Sequence, residues 1–224
     1  MTHDFPLTIK KSRRSKHLKK KIDAERRTAV LVVPENFDQR AAADFVNRNR
    51  MWITDKLSKI KENIYFTVGD TVSILGNAYR IIFHENEVRY SRCYNDVIEV
   101  YGKKGDAHKE VVKQARKIFE NYAWKKTVDL AAQLGVKVND ITVKVIKSRY
   151  GSCSSLGNIN FSLVLAFAPL FVVDMVIAHE VSHLKHMNHG QEFKKTLTEL
   201  CPDCRVADKW LKKNAGDLRR IVLS

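Results

Sequence analysis

Residues 179–189 read HEVSHLKHMNH, four histidines and one glutamate in eleven positions. On a helix, positions four apart share a face and lie about 6 Å apart along the axis. His179 and His183 can therefore point two imidazoles at one ion. Glu180 projects about 100° away and can reach a water on that ion rather than the ion itself. This is the H-E-x-x-H arrangement. Zinc in a catalytic site takes three protein ligands and keeps one position for water, so a third ligand must come from elsewhere. If the helix continues, His186 lies about 10.5 Å along the axis from His179, too far for both to bind one ion. His189 fits if the chain leaves the helix near Met187-Asn188 and doubles back, since Asn and Gly190 accept left-handed backbone. The favoured set is His179, His183 and His189, with His186 on the surface or supporting the ligands from behind. The competing reading is a histidine-rich helix end in solvent. A bound divalent ion, Zn2+ first, lowers the pKa of water to about 7 and polarises a carbonyl or phosphoryl oxygen. Glu180 would take the water's proton and pass it to the leaving group.

These side chains need a framework. The apolar run FVVDMVIA before His179 would bury the helix, fix the imidazoles and dry the site. A helix is expected to start after Pro169 and run through the motif, followed by helices near 191–200 and 203–214. Upstream, ITVKVI (141–146) alternates as a strand, SRYGSCSSLGN is a polar loop, and INFSLVLAF reads as another strand. A long helical pattern covers 106–133 and stops at Gly135, a C-terminal glycine. The first hundred residues read largely as β. Leu7 and Ile9 alternate, and AVLVV (29–33) is a short apolar run. The stretches TVSIL, AYRIIFH, EVRYS and DVIEVY suggest an antiparallel meander over 67–101. One helix, capped by Asp38, is expected over 38–63. The fold class is α+β, with a β-rich half (1–104) before an α+β half (105–224) that carries the HExxH helix.

Composition narrows the function classes. With 44% hydrophobic residues the 224-residue chain is globular rather than disordered. Its longest apolar stretch, LVLAFAPLFVV (163–173), falls short of the roughly 20 residues that span a bilayer. No secretory leader is evident, so a cytoplasmic location is expected. Four cysteines are too few for a disulfide framework. Cys201-Pro-Asp-Cys204 has the spacing of a zinc knuckle or redox pair. It lacks a second pair, and reads as reduced thiols at a helix start. The net charge is +15, and the first 27 residues hold ten Lys and Arg against three acids. Such a field attracts an anionic substrate or nucleic acid, or is a solvated basic face.

Several segments carry a resemblance. KKSRRS (10–15), RMWI (50–53), LGNAYRI (75–81), KSRYGSCSSLGNINFSLVLAFAP (147–169), VIAHEVSHLKHMNHGQEF (176–193) and CPDCRVADKWL (201–211) occur in the order seen in the YgjP-like metal-dependent hydrolases. This chain resembles that family, a compact zincin branch related to SprT-type metalloproteases. The resemblance implies a zincin-like second half, metal ligands His179, His183 and His189, and Glu180 as the catalytic carboxylate. It also implies that the Arg149–Cys153 loop lies near the metal. There Arg149 offers a fork for carboxylate or phosphate, and Tyr150 or Ser152 could donate to an oxyanion. Alternatively the loop is structural, with Gly151 making a turn. The family usually has tryptophan where Tyr150 stands, and often tryptophan where Lys194 follows Phe193. Peptide hydrolysis is the first activity implied. A nucleoside-triphosphate (UTP) pyrophosphatase and a DNA-associated SprT-like protease are alternatives. A basic nucleic-acid-binding module with a structural metal is the non-enzymatic reading. No membrane partner is expected, and the oligomeric state stays open.

Overall fold

AVLVV lies in the middle of a small sheet. Strands β1 (Leu7–Lys11), β2 (Lys19–Asp23) and β3 (Thr28–Val33) order as β1-β3-β2, with β1 parallel and β2 antiparallel to β3. The computed structural model describes residues 4–23 and 26–223. Ala29, Leu31 and Val33 alternate onto one face and form a core with Ala42, Val46 and Ile53. Those three belong to helices α1 (Gln39–Arg48) and α2 (Arg50–Ser58). Asp38 caps α1 as expected, accepting from the Arg40 and Ala41 amides. The single helix expected over 38–63 is instead two. Asn49 breaks it at φ −103°, ψ 7°, and its Nδ2 donates to the Phe45 carbonyl at 2.7 Å, a local bond that competes with the helix ladder.

The chain divides into two compact units between Asn63 and Ile64. The boundary expected near 104 falls inside the second unit, and the reason is a shared core. Strands β4 (Thr71–Ile74), β5 (Asn77–Glu85), β6 (Tyr90–Tyr94) and β7 (Val97–Gly102) form a sheet. Its Val72, Ile81 and Ile98 pack with Val111, Ala115 and Phe119 of α3 (Ala107–Leu134). Sheet and helix are each other's cover, so neither closes a core without the other. The strand order is β4-β5-β7-β6, with β5 and β7 parallel, not an antiparallel meander. Burial explains the order. Ile98 and Val100 of β7 are fully buried and need neighbours on both sides, whereas β6 alternates toward solvent and sits at the edge.

The third sheet orders β8 (Asp140–Lys144), β10 (Asn158–Ser162) and β9 (Gly151–Cys153) as β8-β10-β9. Strand β9 lies in the stretch read as loop and pairs antiparallel with β10. The strand expected over INFSLVLAF ends at Ser162. Residues Leu163–Phe167 turn into a 3-10 segment buried on all sides, and a segment with no polar face has no period to betray it. Three helices close the chain: α4 (Leu170–His183), α5 (Gln191–Leu200) and α6 (Cys204–Leu218). Helix α4 packs against α3, α5, α6 and β9. Among the described residues no helix is long and apolar enough to cross a membrane.

Candidate metal centre

Helix α4 is apolar for most of its length, and burial on several sides follows. That burial carries its last residues inward. Glu180 is 6% exposed and His183 9%. The helix stops at His183, three to four residues earlier than expected. Leu184, Lys185 and His186 form a tight turn whose amides bond back to Val181 and Ser182. The return to Gln191 uses no left-handed residue. Asn188 and Gly190 have ordinary φ, and the Asn188 Oδ1 accepts from the Gly190 amide at 3.2 Å. The early exit brings His189 back onto the helix end.

The result is a three-histidine cluster. Ligand nitrogens of His179, His183 and His189 lie within 4.8 Å of one another. The Nε2 atoms of His179 and His189 are 3.1 Å apart. A zinc–nitrogen bond of about 2.0–2.1 Å puts two tetrahedral ligands about 3.3 Å apart, so the cluster fits one such ion. The His183 Nδ1–H donates to the His186 carbonyl at 3.1 Å. This fixes the ring and leaves its Nε2 lone pair free, as an oriented metal-binding imidazole requires. His186 thus serves through its backbone, and its ring is not in the cluster.

Phe193, at the start of α5, was visible in the sequence only as part of a matching segment. Its ring lies 4.9, 4.6 and 4.7 Å from the centroids of His179, His183 and His189, and it is 2% exposed. It forms an apolar floor that all three imidazoles share. Nothing in the spacing announces this, because the turn between His183 and Gln191 is irregular.

Electrostatics follow from the same burial. Burial, then the His183 and His189 rings, push His179 down to about 4, against a pull upward from Asp208 of α6. His183 is also lowered by burial. Both rings are therefore held neutral, the ligand form. Burial pushes Glu180 up to about 7, against the lowering charge of Arg149.

Strand β9 covers Glu180. A Cβ on Gly151 would stand 2.4 Å from Glu180 Oε1 and 2.7 Å from its Cγ and Cδ. Gly151 is not in a left-handed turn; it is glycine because the carboxylate side chain lies directly against its backbone. Cys153, two residues on, feels the same neighbour, and burial with Glu180 raises its thiol to about 11. Strand alternation turns Ser152 to the opposite face. Of the three expected substrate-binding residues, exposed Arg149 is the one whose charge reaches Glu180. The Tyr150 ring packs on the hydrophobic core, and its buried hydroxyl has no hydrogen-bond partner.

Cys201 and Cys204 are half-buried and unbridged. The Cys204 amide donates to the Cys201 carbonyl in the turn that starts α6. Among the described residues they belong to no group of three metal-ligating side chains.

A comparison with curated proteins gave no match. The profile of the YgjP-like family, described as a metallopeptidase domain, matches residues 16–214. That span includes the histidine cluster, Glu180 and β9, and it supports a hydrolase that holds a divalent metal. The chain belongs to the YgjP-like metallopeptidase-domain family.

Proposed function

We propose that this protein is a zinc-dependent hydrolase of peptide bonds, with His179, His183 and His189 as ligands and Glu180 as general base. The observation that carries the proposal is the junction of the three imidazoles with a buried carboxylate in the next helical position. A divalent ion held by the cluster supplies Lewis-acid polarisation of the scissile carbonyl and an acidified water nucleophile. The chain's own groups do the rest. Glu180 accepts a proton at its carboxylate and later delivers it to the leaving nitrogen. Gly151 leaves room for that carboxylate and limits where it can lie. Phe193 excludes water behind the imidazoles. Arg149, exposed beside Glu180, binds a carboxylate or carbonyl oxygen of the substrate through its planar fork.

The same Arg149 favours a second reading, hydrolysis of a nucleoside triphosphate such as UTP to release pyrophosphate, because a guanidinium fork takes phosphate as readily as carboxylate. One experiment separates the two. Zinc-loaded protein and its Glu180→Gln variant are incubated with unfolded casein, with a quenched peptide library and with a nucleoside-triphosphate panel. We expect peptide cleavage by the wild type, a loss of roughly 10²–10⁴-fold in the variant, and equal zinc content in both. Pyrophosphate release without peptide cleavage moves the function to nucleotides. Full activity in Glu180→Gln sinks the assigned role of that residue. The four unbridged cysteines fit a reducing compartment, and the cytoplasm is the location proposed.

A further inference from the structure

The N-terminal unit, which holds none of the clustered histidines, presents a charged surface of its own. Residues 1–63 hold sixteen Lys and Arg against eight Asp and Glu, a net +8, more than half the total of +15 in just over a quarter of the chain. The sheet register shows where part of that charge goes. Ala29, Leu31 and Val33 of β3 face the helices, so Val30 and Val32 face the other way. In register with Val32 stand Lys10 on one side and Lys19 on the other. In register with Val30 stand Thr8 and Lys21. All three lysines are exposed. Among the described residues none of the three makes an ion pair, whereas Arg13, Arg27 and Arg50 of the same unit pair with Glu35, Glu62 and Asp4. Lys20 alternates to the helix side, where its ammonium lies 4.5 Å from the centroid of the Trp52 ring. Among the described residues of these strands the one acid on the lysine face is Asp23, at the far end, in register with Thr28 and accepting from the Arg26 amide.

We infer that this lysine face binds the phosphate backbone of duplex nucleic acid without reading sequence. Strand geometry sets Lys19 and Lys21 about 7 Å apart along β2, and Lys10 about 10 Å from Lys19 across β3. Ammonium groups act as mobile point charges, suited to phosphate but not to base edges. Among the described strand residues the face carries threonine, valine, lysine and the terminal Asp23 and no aromatic ring, so these strands offer nothing on which the bases of a single strand could stack. A duplex presents one charge per about 1.7 Å of axis, the densest match for such a surface.

The test is binding of the full chain to a mixed-sequence DNA duplex by fluorescence anisotropy between 50 and 200 mM salt. The comparison is with Lys10→Gln/Lys19→Gln/Lys21→Gln. A control replaces Lys117, Lys125 and Lys137, equally exposed in the other unit. Three lost phosphate contacts should flatten the log–log salt slope by about 2.7 and weaken binding on the order of a hundredfold at 0.1 M salt. The control should keep the wild-type slope. Circular dichroism of each variant confirms the fold, since all six side chains lie in solvent. An unchanged slope in the sheet variant overturns the inference, as does an equal loss in the control. Tighter binding to a single strand of the same length, or binding to phosphatidylserine vesicles and not to the duplex, overturns it as well.

Discussion

Gly151 and Phe193 show how single residues set the chemistry of the histidine cluster. Gly151→Ala puts a methyl into the space of the Glu180 carboxylate, and the buried acid has to move. Misplacement by about 1 Å costs roughly 10²-fold in rate. The expected outcome is a kcat lower by about that factor, with zinc content unchanged and KM nearly constant. Steady-state kinetics with metal analysis check it. Phe193→Ala removes the shared floor. It should destabilise the protein by about 3–5 kcal/mol and weaken zinc binding roughly 10–100-fold, with Phe193→Leu intermediate in both. A competition titration with a chromogenic chelator reads the affinity, and urea melts read the stability. The pairing of His179 with His183 was legible in the sequence because a helix converts spacing into direction. Gly151 was read from the sequence only as a possible turn glycine and lies instead in β9, since the Glu180 neighbour that requires it is twenty-nine positions away and on another element.

At the scale of elements, several ends fixed by local chemistry were readable, though the local break at Asn49 between α1 and α2 was not. Asp38 caps α1, α5 spans the residues expected, and Gly135 ends α3 at φ 65°. Nothing lies within 4 Å of a Cβ on Gly135, so Gly135→Ala should cost only the left-handed backbone penalty, about 1–2 kcal/mol, measured as a lower melting temperature. Pairing partners were not readable. Strand β9 is three small residues with no alternation of its own, and only β10 makes it a strand. The parallel β5–β7 pairing depends on which strand has the most apolar surface to hide. On the outer face of that sheet, Glu99 accepts from Arg92 Nε at 2.5 Å and from the Tyr94 and Tyr101 hydroxyls. Arg92 first, then those hydroxyls, hold its carboxyl below the ordinary range despite burial. A lowered folded-state pKa means stability present above the unfolded value of about 4.3, lost as pH falls through the folded one. Glu99→Gln should therefore be less stable than wild type at pH 6, with the gap closing toward pH 2–3. Thermal melts at both pH values would show it.

For the whole molecule, the two compact units differ in what holds them. Among the described residues the first has seven buried residues in its core cluster, and the second thirty-three. A unit of about sixty residues is marginal by itself. Calorimetry should resolve a small early transition from the N-terminal unit ahead of the main one. Zinc should raise only the later transition, because every residue of the histidine cluster lies in the second unit. A single transition shifted as a whole by zinc would show that the units melt together.

The three histidines of the cluster lie within eleven residues, and Phe193 follows four residues after the last of them. A transplant of residues 170–193 onto another helical scaffold thus carries the means to capture an ion in one uninterrupted cassette. The roof over Glu180 comes from residue 151 and the charge beside it from residue 149, so such a chimera would inherit a metal-binding protein and leave the enzyme behind.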